Sequence, residues 1–282
     1  MLIDLGFLDG WDEELDSMNG VKRDGRRFQY PDSYIEFLAF LKTGFQIPYR
    51  TVEGVVRGLS NYIKGLKEMH FTQIRRRMLR LNPTVGFDYD SDVDEPVTLI
   101  VDSTGLSTTK KGAYIEQMWV KKKRKFIKLH IGIDEKTKKI VEFDVTTPRV
   151  ADTKRFKKIV KGAARKVGEE NIVKVYGDKA HDSRENFNLL DSMNIEPGIA
   201  VKRNATERSR GCQMRKQEVQ MIRKIGYKGW SRLREFGRRW IVEIVISALK
   251  RVLGDTLYGR KFASQKIEAR LKVVLYNRFL SL

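Results

Sequence analysis

Aliphatic and aromatic residues recur at three- and four-residue spacing through Tyr34, Phe37, Leu38 and Leu41, and again through Val55, Val56, Leu59 and Tyr62. That is the period of helices with one apolar stripe, and no alternating strand-like run precedes Asp94. Ser33 and Thr51 stand where N-caps of two such helices belong, and Thr72 opens a third; a side-chain oxygen there accepts a backbone N–H that a helix start leaves unpaired. From Asn82 to Pro96 the periodicity stops, and Pro83, Gly86 and the acids Asp88, Asp90, Asp92, Asp94 and Glu95 read as a linker. The expected division is therefore a helical region with its linker over 1–94 and a second domain over 95–282.

Past the linker the pattern changes to strands, over Val97–Val101, Phe126–Ile133 and Ile140–Val145, with a hairpin turn between Asp134 and Lys139. A helix from Asp152 to about Lys166, a strand over Ile172–Tyr176, a helix over Arg184–Met193 and a strand over Gly198–Val201 follow. Helix resumes from Gln217, with Trp230, Trp240 and Tyr276 as packing anchors. Three meandering strands followed by α/β alternation predict an α/β domain, a mixed five-stranded sheet flanked by helices.

Charge narrows the partner. Lys and Arg number 56 against 36 Asp and Glu, a net +20, which draws polyanions by steering and counterion release. Arg75, Arg76 and Arg77 give the third N-terminal helix a basic face, suiting a helix-turn-helix-like DNA reader or a solvated bundle helix. Lys121, Lys122 and Lys123 begin a basic run that grips DNA or forms a solvated loop. No apolar run approaches the roughly 20 residues of a membrane span, and Met1-Leu2-Ile3-Asp4 lacks a signal pattern. A soluble, cytoplasmic, nucleoid-associated protein is expected, with no membrane partner. Cys212 is the one cysteine, and His70, His130 and His181 are scattered, which argues against disulfides and against a thiolate or histidine metal site.

Acidic residues supply the candidate chemistry. Asp102 follows Val97–Val101 and Asp178 follows Val175-Tyr176-Gly177, the strand ends at which open sheets bind ligands. Either one alone is more simply a turn cap. Read as one helix over Phe236–Lys250, Phe236, Arg239 and Lys250 fall at roughly +20°, −40° and −20° from Glu243, sharing a stripe. Ile241, Ile244, Val245, Ala248 and Val252 gather on the other side as the core face. Carboxylates converging in a basic chain suit a hard, oxygen-preferring cation such as magnesium, completed by substrate phosphates.

These residues resemble the insertion-sequence DDE transposases whose third motif is YREK. The first motif is similar to Val101-Asp102-Ser103-Thr104-Gly105-Leu106, the second to Gly177-Asp178-Lys179-Ala180-His181-Asp182-Ser183, and Phe236, Arg239, Glu243 and Lys250 match the spacing of the third. Between Asp102 and Asp178 lie 75 residues, and between Asp178 and Glu243 lie 64. Trp11–Leu15 and Gly25–Pro31 resemble the family's entry region, and Lys202-Arg203-Asn204-Ala205 its segment after the fifth strand. Phe236 departs from the motif's Tyr, and His181 stands where many members carry Tyr.

The resemblance implies a ribonuclease H-like catalytic domain with Asp102, Asp178 and Glu243 as catalytic metal ligands for two Mg2+ (or Mn2+) ions. Phe236, Arg239 and Lys250, with Arg203, would lie against DNA. It implies cleavage of double-stranded DNA at the element's terminal inverted repeats and strand transfer into target DNA, by a homodimer in the DNA complex. Asp182 is a rival second-motif acid, or an N-cap. A nuclease of the same fold that cuts without joining, and a non-catalytic basic DNA-binding protein, are the competing readings.

Overall fold

The computed structural model describes residues 5–20, 26–81, 95–108, 126–208 and 210–281. In chain order these form helices α1 (Trp11–Gly20), α2 (Asp32–Gly44), α3 (Tyr49–Ser60) and α4 (Phe71–Arg80), then strands β1 (Val97–Ser107), β2 (Phe126–Asp134) and β3 (Ile140–Thr146). There follow α5 (Thr153–Val167), β4 (Ile172–Gly177), α6 (Arg184–Ser192), β5 (Glu196–Ile199), α7 (Gln213–Leu233), α8 (Ile241–Leu253) and α9 (Phe262–Leu280). The chain divides into two compact units, one of 1–87 with 252–282 and the other of 88–251.

The first unit is helical. Helices α2 and α3 start directly after Pro31 and Pro48, not at Ser33 and Thr51: proline fixes φ near its helical value and has no N–H to leave unpaired. Ser33 instead donates to Glu14. Tyr34, Leu38, Val52, Val56, Ile74 and Met78 meet in one core, and Leu271 of α9 joins them. Residues from 252 onward therefore group with the N-terminal helices, whereas the sequence reading placed them in the second domain. Buried residues surround α9 on several sides, from Leu271 through Tyr276, so no single stripe announces which neighbour it packs on. Buried Glu268 accepts from Lys42 Nζ (3.1 Å) and from the N–H of Tyr258 (2.7 Å), and Lys272 donates to the carbonyls of Leu253 and Gly254.

The second unit carries a five-stranded sheet in the order β3-β2-β1-β4-β5. β1, β2 and β3 are antiparallel neighbours, and β4 and β5 run parallel to β1. This is the ribonuclease H-like arrangement. Leu99, Val101 and Val175 from the sheet meet Phe156, Ile159 and Val160 of α5 and Phe187 of α6. A Cβ at Gly132 would fall 2.6 Å from Ile159 Cγ2, so glycine permits the close approach of α5 to β2. Helix α7 breaks at Gly226, whose φ of 73° only glycine adopts freely. Trp230 is buried as expected, but Trp240 is 58% exposed. No described helix is long and apolar enough to cross a membrane.

Candidate active site

Register brings the two aspartates together. In the parallel β1–β4 ladder Val101 pairs with Gly177, so the next residues, Asp102 and Asp178, leave the ladder side by side on strands about 4.8 Å apart. Asp102 is not at a strand end, because β1 continues against β2 as far as Ser107; it lies where the pairing with β4 stops. The backbone N–H of Ser103 donates to Asp102 Oδ1 (2.7 Å), and that of Ala180 to Asp178 Oδ1 (2.9 Å).

Successive strand residues face opposite sides, and Ser103 anchors the side away from Asp102. Its hydroxyl donates to Asp152 (2.9 Å), which also pairs with Lys128 Nζ (3.1 Å) and stands 3.4 Å from His130 Nδ1. Burial pushes the His130 imidazole down to about 4, so it is a neutral member of this network. Asp152, Lys128 and Ser103 form a polar network beside Asp102 that no sequence pattern announces, since they lie on three separate elements and share no spacing.

Glu243 arrives by a different route. After α7 the chain turns at Glu235, a non-glycine residue with φ of 52°, and Phe236–Trp240 form a 3-10 turn before α8 begins. Phe236 and Arg239 therefore precede the α-helix, and the single helical stripe from Phe236 to Lys250 is corrected to a 3-10 turn followed by a helix. Only Glu243 and Lys250 retain the seven-residue helical relation. Phe236 packs against Trp230 (5.1 Å between ring centres), Tyr176 (6.4 Å) and Tyr227 (6.5 Å). The turn is braced by Tyr176 Oη donating to the Arg234 carbonyl (2.9 Å) and by Arg234 pairing with Glu196 (2.8 Å) and buried Glu218, which also accepts from Trp230 Nε1 (2.6 Å). The buried face of α8 is Val242, Val245 and Leu249, while Ile244 and Val252, assigned to the core by sequence, are exposed. Both faces fit a helical period, and Val245 belongs to each.

Arg239 joins the two routes: Nη1 donates to Asp102 Oδ2 (3.2 Å) and Nη2 to Glu243 Oε1 (2.7 Å). Burial, with the charges of Asp178 and Glu243 added, pushes the Asp102 carboxyl up to about 6 against the lowering by Ser103 N–H and Arg239. A site that penalises its own negative charge in this way gains from a bound cation. The donors are all carboxylate oxygens, a set that fits Mg2+ or Mn2+. Among the described residues no three acids stand close enough to hold one ion as they are placed, and the Arg239 guanidinium spans Asp102 and Glu243.

The other candidates fall into distinct surroundings. Asp182 is buried, takes a two-pronged contact from Arg215 (2.6 and 3.0 Å) and accepts the Lys202 N–H (2.8 Å). Its oxygens are thus engaged, and Ser183, not Asp182, caps α6 through Asn186 N–H. His181 is buried, with Nδ1 unpaired and Nε2 3.8 Å from Asp178. On α4, Arg75 and Arg76 are exposed, whereas Arg77 pairs with Asp32 (2.6 Å) and lies over the Phe28 ring (4.5 Å). Arg203 is exposed in a turn, Lys250 is half-buried on α8, and Lys121, Lys122 and Lys123 lie outside the described residues.

Residues 94–278 match a family model described as Transposase DDE domain, and residues 1–111 match a second model of the same description. Among solved structures the chain is similar to the piggyBac transposase in a synaptic complex with hairpin DNA, at 12% identity and a TM-score of 0.44, covering 99% of this chain and 72% of that one. It is also similar to the Drosophila P element transposase in a strand transfer complex, at 13% identity and a TM-score of 0.35, covering 96% and 69%. The Mos1 transposase in a paired-end complex with the left transposon end matches at 12% identity and a TM-score of 0.27, covering 80% and 81%.

Proposed function

We infer, from the premise that this chain belongs to the Transposase DDE domain family, that it is an insertion-sequence transposase of the YREK type. It cuts double-stranded DNA at the element's terminal inverted repeats and joins the freed ends to target DNA. The observation that carries this reading is the β1–β4 register, which seats Asp102 beside Asp178, with Arg239 tying Asp102 to Glu243.

Asp102, Asp178 and Glu243 would hold the divalent ions, two Mg2+ or Mn2+. When bound, such a pair supplies an activated water or 3′-hydroxyl and neutralises the leaving oxygen of an in-line displacement. The chain's own part is placement. Asp102 and Asp178 are fixed by the ladder and by the backbone N–H groups of Ser103 and Ala180. Arg239, with a planar fork, and Lys250, with a point charge, suit phosphates next to the scissile bond. Phe236 supplies an aromatic wall where the family's Tyr would add a hydroxyl. Arg75, Arg76 and Arg203 suit phosphates farther along the duplex, as do Lys121, Lys122 and Lys123. Two copies, one for each end, would form the working assembly in the cytoplasm on nucleoid DNA.

The test is cleavage and joining of labelled DNA carrying the element's own ends, with Mg2+ or Mn2+, comparing the unaltered chain with Asp102→Ala. Joined products that vanish in Asp102→Ala support transposition. Cutting without joining identifies a nuclease, and binding without metal-dependent cutting identifies a DNA-binding protein.

A further inference from the structure

Four oxygens of the three carboxylates are already occupied. Asp102 Oδ1 accepts the Ser103 N–H and Asp178 Oδ1 accepts the Ala180 N–H. The remaining oxygen of Asp102, Oδ2, carries Arg239 Nη1, and the same guanidinium reaches Glu243 Oε1 through Nη2. The exposure of these groups differs. The Asp102 and Arg239 side chains are 19% and 22% exposed, whereas that of Glu243 is 62% exposed. A cation sheltered on Asp102 and a third acid open to solvent describe a site filled by the protein's own charge.

We propose that Arg239 is a gate on metal loading: it occupies the space between Asp102 and Glu243 in the DNA-free protein, and a DNA phosphate draws it away so that a divalent ion binds tightly only with DNA present. This rests on the assignment of Asp102, Asp178 and Glu243 as the metal site. An arginine fork exchanges a carboxylate partner for a phosphate readily, because both present two oxygens to its parallel N–H groups. Departure of the guanidinium frees Asp102 Oδ2 and removes a like charge from beside the incoming ion. Since the two equilibria share one side chain, linkage makes the effect mutual: DNA tightens metal binding by the same factor by which metal tightens DNA binding. The functional consequence is that tight metal binding, and with it cutting competence, is withheld from the protein while it is free of DNA.

The experiment measures Mn2+ binding by electron paramagnetic resonance of the free ion, on the full chain, without DNA and then with a saturating duplex carrying the element's own end. It compares the unaltered protein, Arg239→Ala, Arg239→Gln and Asp102→Asn, the last serving as background for ions held by DNA or by other carboxylates. Arg239→Gln keeps bulk and a hydrogen-bond donor but no charge, and circular dichroism verifies that each variant is folded. The expected result is that DNA tightens Mn2+ binding to the unaltered protein by about 10-fold, a usual size for coupling between two sites. Arg239→Ala and Arg239→Gln should show that tightening already without DNA and gain little when DNA is added. Equal or weaker Mn2+ binding in both variants without DNA overturns the gate and leaves the metal site standing, with Arg239 only positioning Glu243. Binding to Asp102→Asn equal to that of the unaltered protein overturns the metal-site assignment and the gate with it.

Discussion

Asp178 and Asp182 lie one turn apart in sequence, and changing each to alanine should separate chemistry from stability. The Asp182 side chain is 0% exposed, its partner Arg215 is 16% exposed, and the pair meets at 2.6 Å with a further acceptance from Lys202 N–H. Asp182→Ala leaves the guanidinium and that N–H without an acceptor, and breaking one side of a buried pair costs about 3–5 kcal/mol. For a domain of this size the melting temperature should fall by on the order of 10 °C. Asp178 is 42% exposed and receives one backbone N–H, so Asp178→Ala loses little more than a turn cap, about 1 kcal/mol. Urea unfolding gives the first quantity; cleavage of element-end DNA per folded molecule, below the transition of the weaker variant, gives the second. Asp182→Ala should retain cutting while melting early, and Asp178→Ala should melt near the unaltered protein without cutting. Full stability with lost cutting in Asp182→Ala would move the metal-ligand role to Asp182 and refute the argument from occupied oxygens. Adding Arg215→Ala completes a double-mutant cycle, in which most of the loss should prove shared between the two residues.

Burial pushes the Lys272 ammonium down to about 8 from an ordinary 10.5. Between those values the unfolded chain holds the extra proton, so this residue makes stability rise with pH across that window, and Lys272→Met should flatten the rise in urea melts at stepped pH. Arg75→Ala and Arg76→Ala should each lower the salt slope of DNA binding by about 1, whereas Arg77→Ala, losing Asp32 and the Phe28 face, should lower the melting temperature more than the salt slope. Gly132→Ala should destabilise the second unit by about 1–3 kcal/mol through overpacking against Ile159, read as a lower urea midpoint with an unchanged m-value.

The strands, and Asp102 and Asp178 as candidates, are legible because each depends on local pattern: apolar runs give strands, and an acid just past a run gives a candidate. What failed was whatever the chain decides at a distance. The extent of β1 was cut short at Val101 because Asp102, Ser103 and Thr104 break the apolar run, yet β2 pairs with all of them. The core face of α8 differs because it does not lie straight across from Glu243: Val242, Val245 and Leu249 sit to one side of that line, while Phe236 and Arg239 leave the helix through a 3-10 turn that begins at a left-handed Glu235, with no glycine to announce it. Helix α9 carries buried residues on more than one side, so its sequence does not announce that it packs with the N-terminal helices. Asp152, Lys128 and Ser103 sit on α5's entry, β2 and β1, and only the sheet makes them neighbours.

The parallel ladder acts as a ruler for the acids, and this has a consequence for how such chains vary. A residue added to or lost from any loop between Asp102 and Asp178 leaves their pairing intact, because Val101 still meets Gly177. The same change inside β1 or β4 slips the register by one and turns an aspartate to the opposite face of the sheet. Insertions should therefore accumulate in the connections while the two strands hold a constant phase, so the phase of each aspartate against its own strand is the feature by which distant relatives are best aligned. Glu243, reached through a turn and not a ladder, carries no such constraint on the length of chain before it.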